Sequence, residues 1–356
     1  MSNTAAASIS IPAVPSSVGI QKKSEFRFLP HGATIQSFIV AGQNIVQNFP
    51  EPELYELTDH PYLGRTIGRT SNRIKNARLE NLNGKTYELY ANNGPNSLHG
   101  GKVGWDKKIW DGPTPVNRNG KEGVLFQCTS PDSEEGFPGT VGAKVWYLTS
   151  TEDDKIILEV EYEAELVGDE CEETVVAMTN HSYFNLNLPA PTISGTLMTV
   201  GTTLYQEITP DGIPTGAISP YPFIPSQPHI QFEVTDTTPD LDDCFVMNPD
   251  PSSIPLDTRS LPLKTLCTLY HPDTGIHLEI VSTEPAFQAY TSRFMDIPEV
   301  EASTGEKVPA RGKRCAIAIE PSRYVNAAGE ENWRGMCLLK KGQLFGSRSI
   351  YRAWKE

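Results

Sequence analysis

No stretch of this chain approaches 18 consecutive apolar residues, so no helix is expected to span a membrane. No run of Lys and Arg is long enough to form a phosphate-binding stripe. The formal net charge is -14, from 30 Lys plus Arg against 44 Asp plus Glu. Such a surface repels nucleic acid and anionic membranes, and an uncharged small molecule is the more natural partner. The six cysteines, Cys128, Cys171, Cys244, Cys267, Cys315 and Cys337, are thinly spread and none forms a C-x-x-C pair. A disulfide framework and a cysteine zinc knuckle are therefore not expected. The seven histidines contain no H-E-x-x-H arrangement, and no strand-like segment runs into G-x-G-x-x-G. The N-terminus lacks both a basic segment and a continuous apolar one, so it does not read as a secretory signal and a cytoplasmic address is expected. Long helical periodicity is missing too.

What is present is short apolar stretches separated by turn residues. Gly (28) and Pro (29) are scattered along the chain and not gathered into one linker. The clearest element is IILEVEYEAEL at 156–166, where Leu158, Val160, Tyr162, Ala164 and Leu166 alternate with four glutamates. That period of two predicts a strand with one buried face and one wet face. Further strands are expected at 141–148, 174–180, 275–283, 287–292, 314–320 and 344–354, with a turn in NLNGK at 81–85. The Pro-rich stretches 209–230 and 247–263 read as surface loops. The expectation is an all-β fold, a large antiparallel β-sandwich, with a flexible tail over 1–17 and one domain over 18–356.

Six segments carry polar groups that could do chemistry. GRTSNRI at 68–74 holds Asn72 and Arg73, whose guanidinium offers a fixed fork of donors. NSLHGG at 96–101 sets His99 before two glycines that permit close backbone approach. NHSYFNL at 180–186 surrounds His181 with amide, hydroxyl and aromatic groups, the mixture a sugar needs. LDDCF at 241–245 supplies Asp242 and Asp243, and EPAFQAYTS at 284–292 places Gln288 and Tyr290 on one strand face. IEPSRYVNAAG at 319–329 ends an apolar strand on Glu320, where burial can tune a carboxylate towards neutrality for general-base work. A structural ion pair between Glu320 and Arg323 is the alternative reading of that segment. Asn180 also opens an N-x-S sequon, relevant only to a secreted chain.

In this order and spacing, and with GWDKKIW at 104–110, these motifs resemble the aldose 1-epimerase family, the galactose mutarotases, from about residue 25 to residue 352. The resemblance implies a galactose mutarotase-like supersandwich with a sugar cleft on one face. It implies Glu320 as general base, His181 as general acid and His99 as a second active-site histidine. Asn72, Arg73, Asp242 and Gln288 would bind the sugar. No cofactor and no metal is implied, and the substrate is a free aldose such as glucose or galactose. Oligomeric state is not indicated. Where the family often has a histidine after the binding acid, this chain has Asp243; the spacing to Phe245 selects Asp242 as the binding acid. The Pro321-Ser322 pair after the base also departs from the family's Thr-Gln, which alters a wall of the cleft. Three other readings stay open at this point. A glycosidase would use Glu320 and Asp242 as its carboxylate pair. A hexose-6-phosphate 1-epimerase would draw on Arg293, Arg314 and Arg323. A non-catalytic carbohydrate-binding protein would be expected to have lost Glu320 or His181, and both are present.

Overall fold

The alternation at 156–166 yields an interior strand of the largest sheet. Lys155–Leu166 pairs antiparallel with Val141–Glu152 on one side and with Phe345–Lys355 on the other. The computed structural model describes residues 9–12, 24–56 and 62–356. Nine antiparallel strands form this sheet, running outward from Lys155–Leu166 to Asp111–Arg118 at one edge and Phe232–Val234 at the other. A six-stranded sheet has the order Tyr183–Phe184, Ile317–Ser322, Ala286–Tyr290, Asp242–Val246, Leu204–Ile208, Pro214–Pro220. A four-stranded sheet is built from Ile9–Pro12, Glu25–Leu29, Thr34–Val40 and Gln43–Asn44. Among the described residues there is no α-helix, only six single-turn 3-10 segments.

One apolar core joins the three sheets. Phe26 and Phe28, Phe126 and Tyr147, and Phe245 and Phe287 contribute rings from each in turn, all buried. Phe28 stacks on Tyr147 with centroids 4.6 Å apart, and Phe245 on Phe287 at 5.4 Å. Burying each such ring contributes roughly 1.5–3 kcal/mol, so these side chains fix how the sheets face one another.

Asn83 and Gly84, at φ 49° and 73°, close the hairpin between Arg78–Leu82 and Lys85–Glu88, as the Asn-Gly pair predicts. All six cysteines are buried and none is in a disulfide. Three expectations change in detail. Glu159 and Glu161 are not on a wet face; both are buried, because Lys121 and Arg348 cover the first and Arg118 the second at 2.8 Å. The stretch 174–180 divides into two short strands, Glu173–Val175 and Thr179–His181, which pair with different partners. Within the expected loop 209–230, Pro214–Pro220 forms the last strand of its sheet, an edge where proline leaves no ladder bond unmade. Of the expected tail, Ile9–Pro12 pairs with Glu25–Phe28, while 1–8 and 13–17 lie outside the described residues.

Candidate active site

Strand pairing builds the floor of a cleft. In the six-stranded sheet Cys244 pairs with Gln288, and Gln288 with Glu320. Side chains alternate across a sheet, so the neighbours Phe287, Ala289 and Ile319 enter the apolar core while Gln288 and Glu320 emerge together on the opposite face. Asp242 lies on the same face as Cys244, two residues along the strand.

His181 arrives from a different sheet. Its strand, Thr179–His181, pairs with Arg65–Ile67, and the chain then turns at Ser182 to place Tyr183 beside Ala318. Asn180 makes that turn. Its Oδ1 accepts from the Ser182 N–H at 3.0 Å and the Ser182 hydroxyl at 2.6 Å, while its Nδ2 donates to the Gly64 carbonyl at 2.8 Å. The Asn180 side chain is thus buried and fully engaged, so the folded chain offers no glycan acceptor there. Thr179 Oγ1 donates to the Pro321 carbonyl at 2.7 Å, fastening the histidine strand to the glutamate strand. The result is His181 Nε2 at 3.2 Å from Glu320 Oε1, with both side chains buried.

His99 has a left-handed backbone (φ 51°) and is followed by Gly100 at φ 86°. A Cβ on Gly100 would stand 2.0 Å from the Gly68 carbonyl oxygen, so only glycine admits this approach. The His99 ring meets the His181 ring edge-on, centroids 5.3 Å apart. Tyr62 packs against both, at 4.7 Å from His99 and 5.5 Å from His181.

A second row of polar groups crosses the floor. Arg73 donates from its backbone N–H to Asn72 Oδ1 at 2.9 Å and from Nε to Asn93 Oδ1 at 2.9 Å. Asn72 Nδ2 donates to Gln288 Oε1 at 3.3 Å, and Gln288 Nε2 donates to Asp242 Oδ1 at 2.9 Å. Asp243 faces away from this chain of amides: its Oδ2 accepts from the Tyr221 hydroxyl at 2.9 Å and from the Asp242 N–H at 3.1 Å. Arg323 is not the partner of Glu320. It pairs with buried Glu284 and donates to the carbonyls of Met336 and Leu256, each at 2.8 Å.

Burial governs the titrating groups. It pushes the Glu320 carboxyl well above its usual range, and the negative charge of Asp242 adds to the effect against the opposing Arg73. Burial lowers His181 to about 3, and it holds His99 well below 6.5 with help from His181 and Arg73. Asp242 is raised by burial, with Arg73 and Arg293 opposing. Near neutral pH both imidazoles are therefore uncharged, and Glu320 has a basicity well above that of an exposed carboxylate. His181 Nε2 and Glu320 Oε1 are within hydrogen-bond reach of each other, so a proton can pass directly between the two groups.

All seven residues to which the family resemblance gave roles line one pocket of about 540 Å³: Asn72, Arg73, His99, His181, Asp242, Gln288 and Glu320. Tyr62, Tyr183, Asn93 and Phe294 also line it and were not assigned from sequence. Tyr183 stands inside a motif already noted, whereas Tyr62 carries no local signal beyond its neighbouring glycine. Ligand atoms of His99, His181 and Glu320 lie within 4.8 Å of one another, but His99 Nδ1 is occupied by the Asn72 N–H, so its ring does not fit a metal ligand's role.

A mainly antiparallel sandwich, with a buried carboxylate on one sheet face and two imidazoles brought over it from a separate strand pair and a turn, has the galactose mutarotase-like fold. The chain belongs to the aldose 1-epimerase family, whose model matches residues 17–352. It is 33% identical over 310 residues to the galactose mutarotase of Sus scrofa, covering 84% of this chain and 81% of that one. It is 32% identical over 329 residues to the bifunctional protein gal10 of Schizosaccharomyces pombe, covering 92% of this chain and 43% of that protein. The chain thus spans less than half the length of the bifunctional relatives it matches. Among solved structures, an aldose epimerase homologue from C. elegans superposes with a TM-score of 0.77 at 25% identity, covering 99% of each chain.

Proposed function

We propose that this chain is a cofactor-independent aldose 1-epimerase that interconverts the α and β anomers of free hexoses such as glucose and galactose. The observation that carries the reading is the buried contact of His181 Nε2 with Glu320 Oε1 at 3.2 Å. A ring opening at C1 needs a base on the anomeric hydroxyl and an acid on the ring oxygen, two oxygens that share one carbon. A base and an acid in hydrogen-bond contact are spaced to serve such a pair. Glu320 takes the proton of the anomeric hydroxyl, His181 gives its own to the ring oxygen as the bond to C1 breaks, and the proton on Glu320 passes to His181 across their contact, so neither group is left with an altered charge. The open-chain aldehyde turns about C1–C2, and the reverse transfers close the other anomer. Asp242, Gln288, Asn72 and Arg73 hold the remaining hydroxyls, and His99 presents an N–H to the reacting centre.

The phosphosugar alternative is weakened by the state of its arginines. Arg323 is buried against Glu284, Arg314 donates to the carbonyls of Thr235 and Pro239, and Arg293 is paired with Asp240. None is left to meet a phosphate without giving up a carboxylate or a carbonyl. A non-catalytic sugar-binding role does not account for two buried imidazoles beside a buried carboxylate.

Polarimetry with freshly dissolved α-D-glucose and α-D-galactose, in a buffer containing a chelator, tests the proposal. The purified chain is expected to accelerate equilibration of at least one of them. No acceleration over the buffer rate overturns free-hexose epimerisation, and activity that the chelator abolishes overturns cofactor independence.

A further inference from the structure

The two imidazoles reach Glu320 on separate pieces of chain, and both pieces are fastened near the strand Arg65–Ile67. His181 pairs with Arg65, and its carbonyl accepts from the Gly64 N–H at 3.0 Å. The His99 turn is fastened just past the other end of that strand, where the Trp105 N–H donates to the Gly68 carbonyl at 3.0 Å. A buried ion pair joins the two sides. Arg65 Nη1 stands 3.7 Å from Asp106 Oδ2, with 1% and 2% of the two side chains exposed. Arg65 is itself held, since Nη2 donates to the Tyr55 carbonyl at 2.8 Å. Asp106 belongs to GWDKKIW, the one motif of the sequence that contributes nothing to the cleft. It is built against His99. A Cβ on Gly104 would stand 2.5 Å from the His99 carbonyl oxygen and 2.6 Å from Asp106 Oδ1, so the carboxylate and the His99 backbone close on the same glycine. One carboxylate thus faces the ladder partner of His181 and packs on the turn that carries His99.

This pair is poorly placed to serve stability. Arg65 Nε and Asp106 Oδ2 have no hydrogen-bond partner among the described residues. Burial also raises the Asp106 carboxyl to about 6, against the opposing charges of Arg65 and Lys107. Two charges buried in this way hold a fold no better than two apolar side chains of like volume, because leaving water costs what their attraction returns. What the pair does supply is a definite spacing, since charges that attract in a medium of low dielectric resist separation. We propose that Arg65 and Asp106 are positioning residues that set the spacing and angle of the His99 and His181 rings, whose centroids lie 5.3 Å apart. Neither residue lines the pocket that holds Glu320, so both act through the histidines. The proposal rests on the epimerase reading, which requires the two rings to converge on one sugar.

The test replaces the pair as a unit, Arg65→Met together with Asp106→Leu, which leaves no buried charge unpaired. The double variant is expected to fold and to lose about tenfold or more in kcat for glucose or galactose, as misplaced catalytic groups do. Sugar affinity by calorimetry should change less than kcat, and the NMR signals of the His99 and His181 rings should shift. A smaller loss in kcat, a change in affinity as large as that in kcat, or unchanged ring signals overturns the proposal. Should the double variant not fold, Asp106→Asn keeps the size of the side chain and removes its charge, and the same outcomes sustain or overturn the proposal. If the wild type turns over no sugar, the epimerase reading falls by itself. Ring NMR then decides the pair: shifted His99 and His181 signals in the folded variant sustain it, and unchanged signals overturn it.

Discussion

Asn72 and His99 hold each other through two bonds: the His99 N–H donates to the Asn72 carbonyl at 3.1 Å, and the Asn72 N–H donates to His99 Nδ1 at 3.2 Å. A backbone N–H can only donate, so Nδ1 of His99 is an acceptor and the ring proton sits on Nε2. The ring cannot take a second proton at Nδ1 without losing that bond, which adds to the effect of its burial.

It follows that neither active-site imidazole charges in the usual histidine range. His99 is held well below 6.5 and His181 near about 3. Ring NMR should show both neutral from pH 8 to 5, with His99 as the Nε2–H tautomer. The unfolded chain takes up protons on these rings near 6.5 while the folded chain does not. Their contribution to stability is therefore present above that value and lost as pH falls below it. A ring that titrates near 6.5 in the folded protein would contradict this assignment.

The acid limb of the rate profile should belong to Glu320. A base must be ionised, and its carboxyl is raised well above 4.5, so activity should fall with decreasing pH well before an ordinary carboxylate protonates. Asp242 contributes to that rise, so Asp242→Asn should move the limb to lower pH even as it weakens sugar binding. A limb that stays in place would remove Asp242 as a charge acting on Glu320.

Glu320→Gln keeps the shape and removes the base. The expected loss in kcat is about 10²–10⁴-fold, or about 2–5 kcal/mol of transition-state stabilisation, with sugar affinity within roughly tenfold by calorimetry. His181→Asn should slow the same step. Combining the two should cost far less than the product of the single losses, since one proton relay fails only once. Near-normal turnover in Glu320→Gln would shift the base to another group.

The same substitution should make the protein more robust. Glu320 has a folded pKa above its unfolded value, so the folded state holds the extra proton and stability declines as pH rises above about 4.5 through the folded value. Replacing the carboxylate with a neutral amide removes that decline. At pH 8 the melting temperature of Glu320→Gln should rise, by about 1–2 °C for each kcal/mol gained, with little change at pH 4. Calorimetric scans at the two pH values check the sign.

The two neighbouring acids should rank clearly with a monosaccharide. Asp242 receives the Gln288 amide and lines the pocket that holds Glu320, whereas Asp243 receives Tyr221 and is absent from that lining. Asp242→Asn should cost about tenfold or more in kcat/KM for glucose, and Asp243→Asn much less. The reverse order would mean that the sugar sits one residue further along the strand.

What could be read from sequence depended on how local the cause was. The 156–166 strand was legible because its alternation lies within eleven consecutive residues, and the Asn83-Gly84 turn because two residues suffice to make it. Burial of Glu159 and Glu161 was not, since Arg118, Lys121 and Arg348 come from other strands. The candidate residues were picked out one motif at a time, and the ordered resemblance joined them. Their geometry was beyond reach. Gln288 and Glu320 are neighbours through a ladder bond between strands, Tyr62 meets both histidines from a separate loop, and the proton on His99 is set by a backbone amide 27 residues away.

The lateral row of Cys244, Gln288 and Glu320 has one more consequence. Neighbouring strands stand about 4.8 Å apart, a pitch set by backbone hydrogen bonding and not by any side chain. The sheet therefore acts as a ruler whose marks are fixed, while the letters printed at each mark are free to change. Residues that line the cleft beyond the row, such as Asn93 and Phe294, can vary and retune it without moving Glu320. Loss of a single residue within Ala286–Tyr290 is a different matter. It would slide the register by one, turn Gln288 into the core and bring Phe287 or Ala289 to face the sugar. In this architecture, length is the guarded quantity and composition the adjustable one.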